Sequence, residues 1–313
     1  MNSNRRYMRR ASVLAPIAFI AACATAYVAP ADRTDTVAAS GGHTDHVIIV
    51  SIDGLRPDAI ERFNARTLQR LMEEGAWSLE ATTITPSITL PSHTSMLTGL
   101  EAEAHGVTWN TEDMDTHGHI LSPTIFTAAK RAGLHTAAFF SKVKFQHLAV
   151  PGTLDHVQVP TRWPGMAWAE STIDHMKRYL RTARPNLLFV HFADPDLAGH
   201  MFGWMSRPYG SAVRTVDAKI DELVSIADHT FGAGNYTLIV TADHGGHGRS
   251  HDTDDPRNVQ IPWIAWGEGV AAGTELPAGI RTIDSAATVL WLLGIDAREE
   301  ITGRAVTAAF DVR

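Results

Sequence analysis

The chain has 313 residues, 44% of them hydrophobic and 19% charged, with a formal net charge of −7 at pH 7. Such a composition supports a large buried core, and its acidic balance argues against a nucleic-acid footprint, so no binding to a nucleic-acid duplex is expected. The single cysteine, Cys23, excludes both a disulfide framework and a thiolate metal site.

The first segment reads as an export signal. Arg5, Arg6, Arg9 and Arg10 precede an apolar run over residues 11–22 that is short for a bilayer span. Ile20-Ala21-Ala22-Cys23 resembles a bacterial lipobox, in which the cysteine is lipidated and becomes the first mature residue. Cleavage after Ala24-Thr25-Ala26 is the rival reading. The expectation is a lipoprotein-type signal peptide over residues 1–22 and a membrane anchor through Cys23, giving a periplasmic or outer-surface protein. Residues 23–44, rich in Ala, Ser, Thr and Gly, read as a flexible tether, and residues 45–313 as a single catalytic domain.

Short apolar runs then alternate with longer helical patterns. A strand over 46–52, rich in β-branched residues, ends at Asp53-Gly54, and a helix follows over 58–75. Helix 122–133 leads into strand 135–140, helix 166–181 into strand 186–192, and amphipathic helix 211–228 into strand 236–241. A late strand over 261–266 and a helix over 283–293 complete the pattern, which predicts an α/β fold. Asp53, Asp196 and Asp243 fall at or just beyond the C-terminal ends of three of these strands, where open α/β sheets place their ligands.

Thr85-Pro-Ser-Ile-Thr89-Leu-Pro-Ser-His93 offers a hydroxyl nucleophile that two metal ions could activate. Asp53-Gly54 alone is equally a turn after a strand. Asp243-His244-Gly245-Gly246 places a carboxylate and an imidazole side by side on a glycine-flanked loop, so both can turn toward one ion. Asp196-Leu-Ala-Gly-His200 spaces its two donors four apart, close enough to share a metal if the segment forms a helical turn.

Ile52-Asp53-Gly54-Leu-Arg-Pro-Asp58, Thr89-Leu-Pro-Ser-His93, His105-Gly106, Asp194-Pro-Asp196-Leu-Ala-Gly-His200 and Asp243-His244-Gly245 follow one another in the order of the alkaline phosphatase superfamily. They resemble its type I phosphodiesterase/nucleotide pyrophosphatase branch over about residues 47–267. The resemblance implies a three-layer sandwich, with a central, largely parallel but mixed sheet and helices on both faces. It implies two zinc ions, one on Asp196, His200 and His251 and the other on Asp53, Asp243 and His244, with Thr89 approaching the second. His247 competes with His251 for the last place; His251 is preferred because the family's last histidine precedes a Pro-containing strand such as Ile261-Pro262. These oxygen and nitrogen donors suit zinc and also admit manganese or iron. Thr89 would attack phosphorus to form a phosphothreonine, which water then hydrolyses. Asn110 resembles the family asparagine whose amide donates to a nonbridging phosphoryl oxygen.

Within that superfamily, sulfatases mature a cysteine or serine in a Cys/Ser-x-Pro-x-Arg motif, whereas Thr89-Leu-Pro-Ser-His93 has threonine and lacks the arginine, which disfavours sulfatase activity. Lys142 and Lys144 resemble the Lys-x-Lys of phosphonoacetate hydrolases; two ammonium groups facing the substrate would favour a dianionic phosphoryl group or a carboxylate. Otherwise they are surface lysines. Leu90 stands where diesterases of this branch often carry a base-stacking aromatic, a role left to Trp109, Trp163, Trp168 or Trp204 unless these are core residues. The leading expectation is an exported zinc hydrolase of small phosphorylated substrates that prefers diesters or nucleotide pyrophosphates. A monoesterase or phosphonoacetate-hydrolase-like enzyme is the alternative, ahead of a phosphoryl-group transferase or a noncatalytic binding module.

Overall fold

The structure, a computed structural model, describes residues 43–161, 165–296 and 301–311, all within one compact unit, Arg33–Arg313. The expected signal peptide, Cys23 and Trp163 lie outside the described residues, as does all of the tether but its last two positions.

Eight strands form one sheet: β1 (Val47–Ile52), β2 (Ala76–Thr82), β3 (Thr136–Phe139), β4 (His156–Gln158), β5 (Leu187–Phe192), β6 (Thr237–Thr241), β7 (Gln260–Gly267) and β8 (Thr274–Glu275). Their order is β4-β3-β5-β1-β6-β7-β2-β8. Pairing is parallel from β4 through β6; β7 runs antiparallel to both of its neighbours, and β8 is parallel to β2. Every residue of β1, β5 and β6 is buried, so these strands are covered on both faces, which is why they read as continuous apolar runs rather than alternating ones.

The helices in chain order are α1 (Pro57–Arg62), α2 (Arg66–Glu74), α3 (Thr89–Thr98), α4 (Ala102–His105), α5 (Met114–His117), α6 (Ile125–Arg131), α7 (Ala169–Tyr179), α8 (Asp194–Phe202), α9 (Arg207–Phe231), α10 (Pro256–Val259) and α11 (Asp284–Leu292). The architecture is the expected α/β fold with a mixed, mostly parallel sheet.

Three differences from the sequence reading have physical causes. The single helix expected over 58–75 is two, because Asn64 turns left-handed with φ of 56°. The carboxylate of Asp217, far along the chain in α9, then accepts from Thr67 and Leu68 N–H at 3.1 and 2.8 Å and caps α2, whose own N-cap residue, Ala65, offers no side-chain acceptor. The helix α3 was not anticipated: every one of its residues is buried, so it has no amphipathic period to read. Strands β4 and β8, with three and two residues, are too short to carry a pattern.

Replacing Asp217 with Ala leaves two helix-terminal donors without their acceptor and should lower unfolding stability by about 1–2 kcal/mol. The midpoint of urea unfolding, at unchanged slope, measures this.

Candidate metal centre and nucleophile

Strands β5, β1 and β6 are neighbours, and each delivers one carboxylate. Asp53 follows β1 directly, Asp243 lies two residues beyond β6, and Asp196 sits in the first turn of α8 after β5. Asp196 N–H donates to the Asp53 carbonyl at 3.0 Å, and Gly54 N–H donates to Asp243 Oδ1 at 3.1 Å. This approach requires glycine: Gly54 has φ of 72°, and a Cβ there would lie 2.9 Å from Asp196 Cα. Trp204 Nε1–H and the Tyr209 hydroxyl both donate to the Gly54 carbonyl, at 2.9 and 3.0 Å, and lock the turn from behind.

Two donor groups result, Asp196/His200/His251 and Asp53/Asp243/His244, each with its ligand atoms within 4.8 Å of one another. In all three histidines Nδ1 faces a backbone carbonyl: Arg249 at 3.0 Å for His200, Ser87 at 2.6 Å for His251 and Gly245 at 2.8 Å for His244. A carbonyl only accepts, so Nδ1 carries the proton and Nε2 presents a lone pair. The carboxylates are divided in the same way. Asp53 Oδ1, Asp196 Oδ1 and Asp243 Oδ2 are buried and receive no hydrogen bond, while the second oxygen of each is satisfied.

These free oxygens face the imidazole lone pairs. Nε2 of His200 lies 3.3 Å from Asp196 Oδ1, and Nε2 of His244 lies 3.3 Å from Asp243 Oδ2 and 3.5 Å from Asp53 Oδ1. Acceptors aimed at acceptors in a buried site call for a cation between them. A proton on the His244 ring itself is disfavoured, because burial and the neighbouring His251 hold its pKa at about 3. Mixed oxygen and nitrogen donors fit divalent ions of the zinc, manganese or iron type.

The electrostatics around the three acids are unequal. Burial pushes the Asp53 carboxyl up, but the Lys142 ammonium and the hydrogen bond from His191 outweigh it and hold it well below the usual range. Asp196 is likewise depressed: burial and Asp53 oppose ionisation, and the Lys142 ammonium outweighs them. Asp243 is pushed well above the usual range by burial and by repulsion from Asp53.

Sequence reasoning missed His191 and gave His93 no role. His191 Nε2 lies 3.0 Å from Asp53 Oδ2, and its Nδ1 accepts from Ser141 N–H at 3.3 Å. His93 Nδ1 donates to the Thr89 carbonyl at 2.8 Å, and its Nε2 pairs with Ser51 Oγ at 2.8 Å. The available signal for His191 was a histidine inside the apolar strand β5; α3 is wholly buried but rich in Ser and Thr and gave no such contrast at His93.

Thr89 is the first residue of α3, and its Oγ1 lies 3.4 Å from His244 Nε2, so the hydroxyl sits at a helix N-terminus where negative charge is favoured. Asn110 Oδ1 accepts from Leu90 N–H at 3.0 Å and from Lys144 Nζ at 3.1 Å, which leaves the amide N–H2 as its free donor. Lys142 Nζ lies between carboxylates, 2.7 Å from Asp53 Oδ2 and 2.6 Å from Asp196 Oδ2. His247 stands outside both donor groups, with Nδ1 2.9 Å from Asn258 Oδ1. Trp204 is a buried wedge, Trp109 stacks on His117, and Trp168 is 54% exposed beside a groove of about 620 Å³ that also borders Leu197, Met201 and Phe202 of α8.

Residues 47–259 match the family described as type I phosphodiesterase / nucleotide pyrophosphatase. GPI ethanolamine phosphate transferase 1 of Gibberella zeae is 25% identical over 273 residues, covering 80% of this chain and 27% of that protein. Ectonucleotide pyrophosphatase/phosphodiesterase family member 7 of Mus musculus is 26% identical over 222 residues, covering 64% of this chain and 49% of the relative. The chain thus spans about a quarter to a half of the length of these relatives. Murine ectonucleotide pyrophosphatase/phosphodiesterase 5, in an inactive form in complex with AMP, shares the fold with a TM-score of 0.70 at 16% identity, covering 85% of this chain and 98% of its own. With the family match extending over most of the chain and the same fold in that structure, the protein belongs to the type I phosphodiesterase/nucleotide pyrophosphatase family of the alkaline phosphatase superfamily.

Proposed function

We propose that this chain is a dimetal phosphoric ester hydrolase, zinc-dependent by preference, that attacks phosphorus with Thr89 and prefers diesters and nucleotide pyrophosphates to monoesters and phosphonates. The reading is carried by the Thr89 hydroxyl at the head of α3, 3.4 Å from an imidazole nitrogen of a donor group whose acceptors call for a cation. Asp196, His200 and His251 would hold one ion and Asp53, Asp243 and His244 the other. Divalent ions bound there lower the pKa of a nearby hydroxyl and offset charge on the departing oxygen.

The chain supplies the rest. The first turn of α3 holds Thr89 in place through the bond from His93 to its carbonyl. Asn110, its Oδ1 fixed by two donors, directs its amide N–H2 to a nonbridging phosphoryl oxygen. Thr89 Oγ1 bonds to phosphorus as the bond from phosphorus to the ester oxygen breaks, the hydroxyl proton ending on the departing alcohol, and water then cleaves the phosphothreonine, releasing phosphate or phosphomonoester and restoring the hydroxyl. The diester preference follows from where the lysines go. The ammonium of Lys142 is engaged by Asp53 and Asp196 and so is not offered to a dianionic monoester, and burial and the neighbouring Lys142 lower the pKa of Lys144, whereas a diester carries one charge fewer.

A second reading, transfer of the phosphoryl group to an alcohol, draws on relatives named ethanolamine phosphate transferases. The two differ in the acceptor. Hydrolysis predicts free phosphate or phosphomonoester as the product whether or not ethanolamine is added, while a new phosphoethanolamine ester would favour transfer.

Thr89→Ala should abolish turnover of a nitrophenyl phosphodiester, and Asn110→Ala should lower kcat on the order of 100-fold with metal content unchanged. Unaltered turnover in either variant rejects its assigned role. His251→Ala should lose metal measured by elemental analysis while His247→Ala retains it, and the reverse result would move the last ligand to His247. On the zinc-loaded protein, kcat/KM for the nitrophenyl diester should exceed that for the matching monoester, and chelation should remove both activities until zinc is returned. A higher kcat/KM for the monoester would overturn the substrate order.

A further inference from the structure

Lys142 touches one carboxylate from each donor group. Its Nζ lies 2.7 Å from Asp53 Oδ2 and 2.6 Å from Asp196 Oδ2, and its side chain is only 10% exposed. The backbone around it is pinned on both sides. Ser141 Oγ donates to the His191 carbonyl and pairs with Thr172 Oγ1, Lys142 bridges to Met166, and Val143 N–H donates to the Gly165 carbonyl at 2.9 Å. The ammonium is therefore delivered to a fixed point.

The oxygens it takes are not the ones a metal would take. Lys142 holds Oδ2 of both acids, whereas the buried oxygens that receive no hydrogen bond and face the imidazole lone pairs are Oδ1. An ammonium and two divalent ions can share this site without contending for one atom.

Accepting the dimetal reading given above, we propose that Lys142 is the resident counter-cation of the metal site. It is a positioning residue that ties Asp53 to Asp196 across the two donor groups, and it does not bind substrate. Its attraction to the acids counts most when nothing else neutralises them. When divalent ions share the carboxylates, that attraction is partly screened and is opposed by repulsion between cations. By linkage, Lys142 stabilises the metal-free protein more than the loaded one and weakens metal binding while keeping the ligands placed.

The test is Lys142→Met, which keeps the apolar stem and removes the charge, in the full chain. Melting temperature is measured after chelation and after zinc loading, together with a zinc titration and diester kinetics. The metal-free melting temperature should fall on the order of 10 °C, and the zinc-loaded one by less than half as much. Zinc should bind about tenfold more tightly, and KM for the diester should stay within about twofold of the wild-type value. Equal losses of melting temperature in both states overturn the proposal, as does a variant that stays unfolded even with zinc. A raised KM with unchanged melting would return Lys142 to a substrate-binding role. Failure of zinc to bind or stabilise the wild-type protein would instead refute the dimetal reading on which the proposal stands.

Discussion

Asp53, Asp196 and Asp243 are brought together in a nearly dry site, and their mutual repulsion is the constraint to which the surrounding structure answers. Two such charges about 4 Å apart repel by about 4 kcal/mol at an effective dielectric constant near 20, a large fraction of a domain's net stability. The fold distributes the load. One oxygen of each acid is satisfied, by Lys142 and His191 at Asp53, by Lys142 at Asp196, and by the Gly54 and His244 amides at Asp243. What is left is three free oxygens and three imidazole lone pairs, an arrangement that asks for divalent cations.

Parallel strands make this convergence possible. With β5, β1 and β6 side by side and running the same way, their C-terminal ends reach one level of the sheet, and the next residues meet there. The meeting is close enough that only glycine fits at 54, and Trp204 fills the space behind it, where Gly199 and Gly246 leave room for the indole. Thr89 belongs to the same frame. His93 links the Thr89 carbonyl in α3 to Ser51 in β1, so the threonine is tied to the strand that ends at Asp53. A hydroxyl on a helix tied through a buried imidazole to the central strand is fixed far better than one carried on a loop.

Membership of the type I phosphodiesterase/nucleotide pyrophosphatase family leaves both the acceptor and the substrate open, because relatives of similar identity bear names from both phosphodiesterases and ethanolamine phosphate transferases. The features that discriminate lie around the phosphoryl site. Lys142 is paired with Asp53 and Asp196, and Lys144 places one of its donors on Asn110. Of the tryptophans considered as stacking surfaces, Trp204 serves the core, and Trp168 alone among the described ones is largely exposed.

The linear order of the residues determined much of this protein. Apolar runs long enough to cross a sheet and rich in β-branched residues marked β1, β5 and β6, and acids placed just beyond their ends marked the candidate ligands, because a strand end is a local property. The spacing of Asp196 and His200 implied a helical turn, and α8 provides it. Other features had no local signal. The helix at Thr89 is buried on every side and so lacks a period, and α2 begins where it does because a carboxylate about 150 residues away caps it. His191 was visible only as a polar residue in an apolar strand, and its partner Asp53, like His93's partner Ser51, comes from another segment. The choice of His251 over His247 and the turning of Lys142 toward Asp53 and Asp196 are likewise matters of distance between segments far apart in the chain. The sequence determined which groups were available and near which strand ends. Only the packed structure decided which oxygen or nitrogen of each was left without a partner, because hydrogen-bond satisfaction in a buried site depends on every element that meets there.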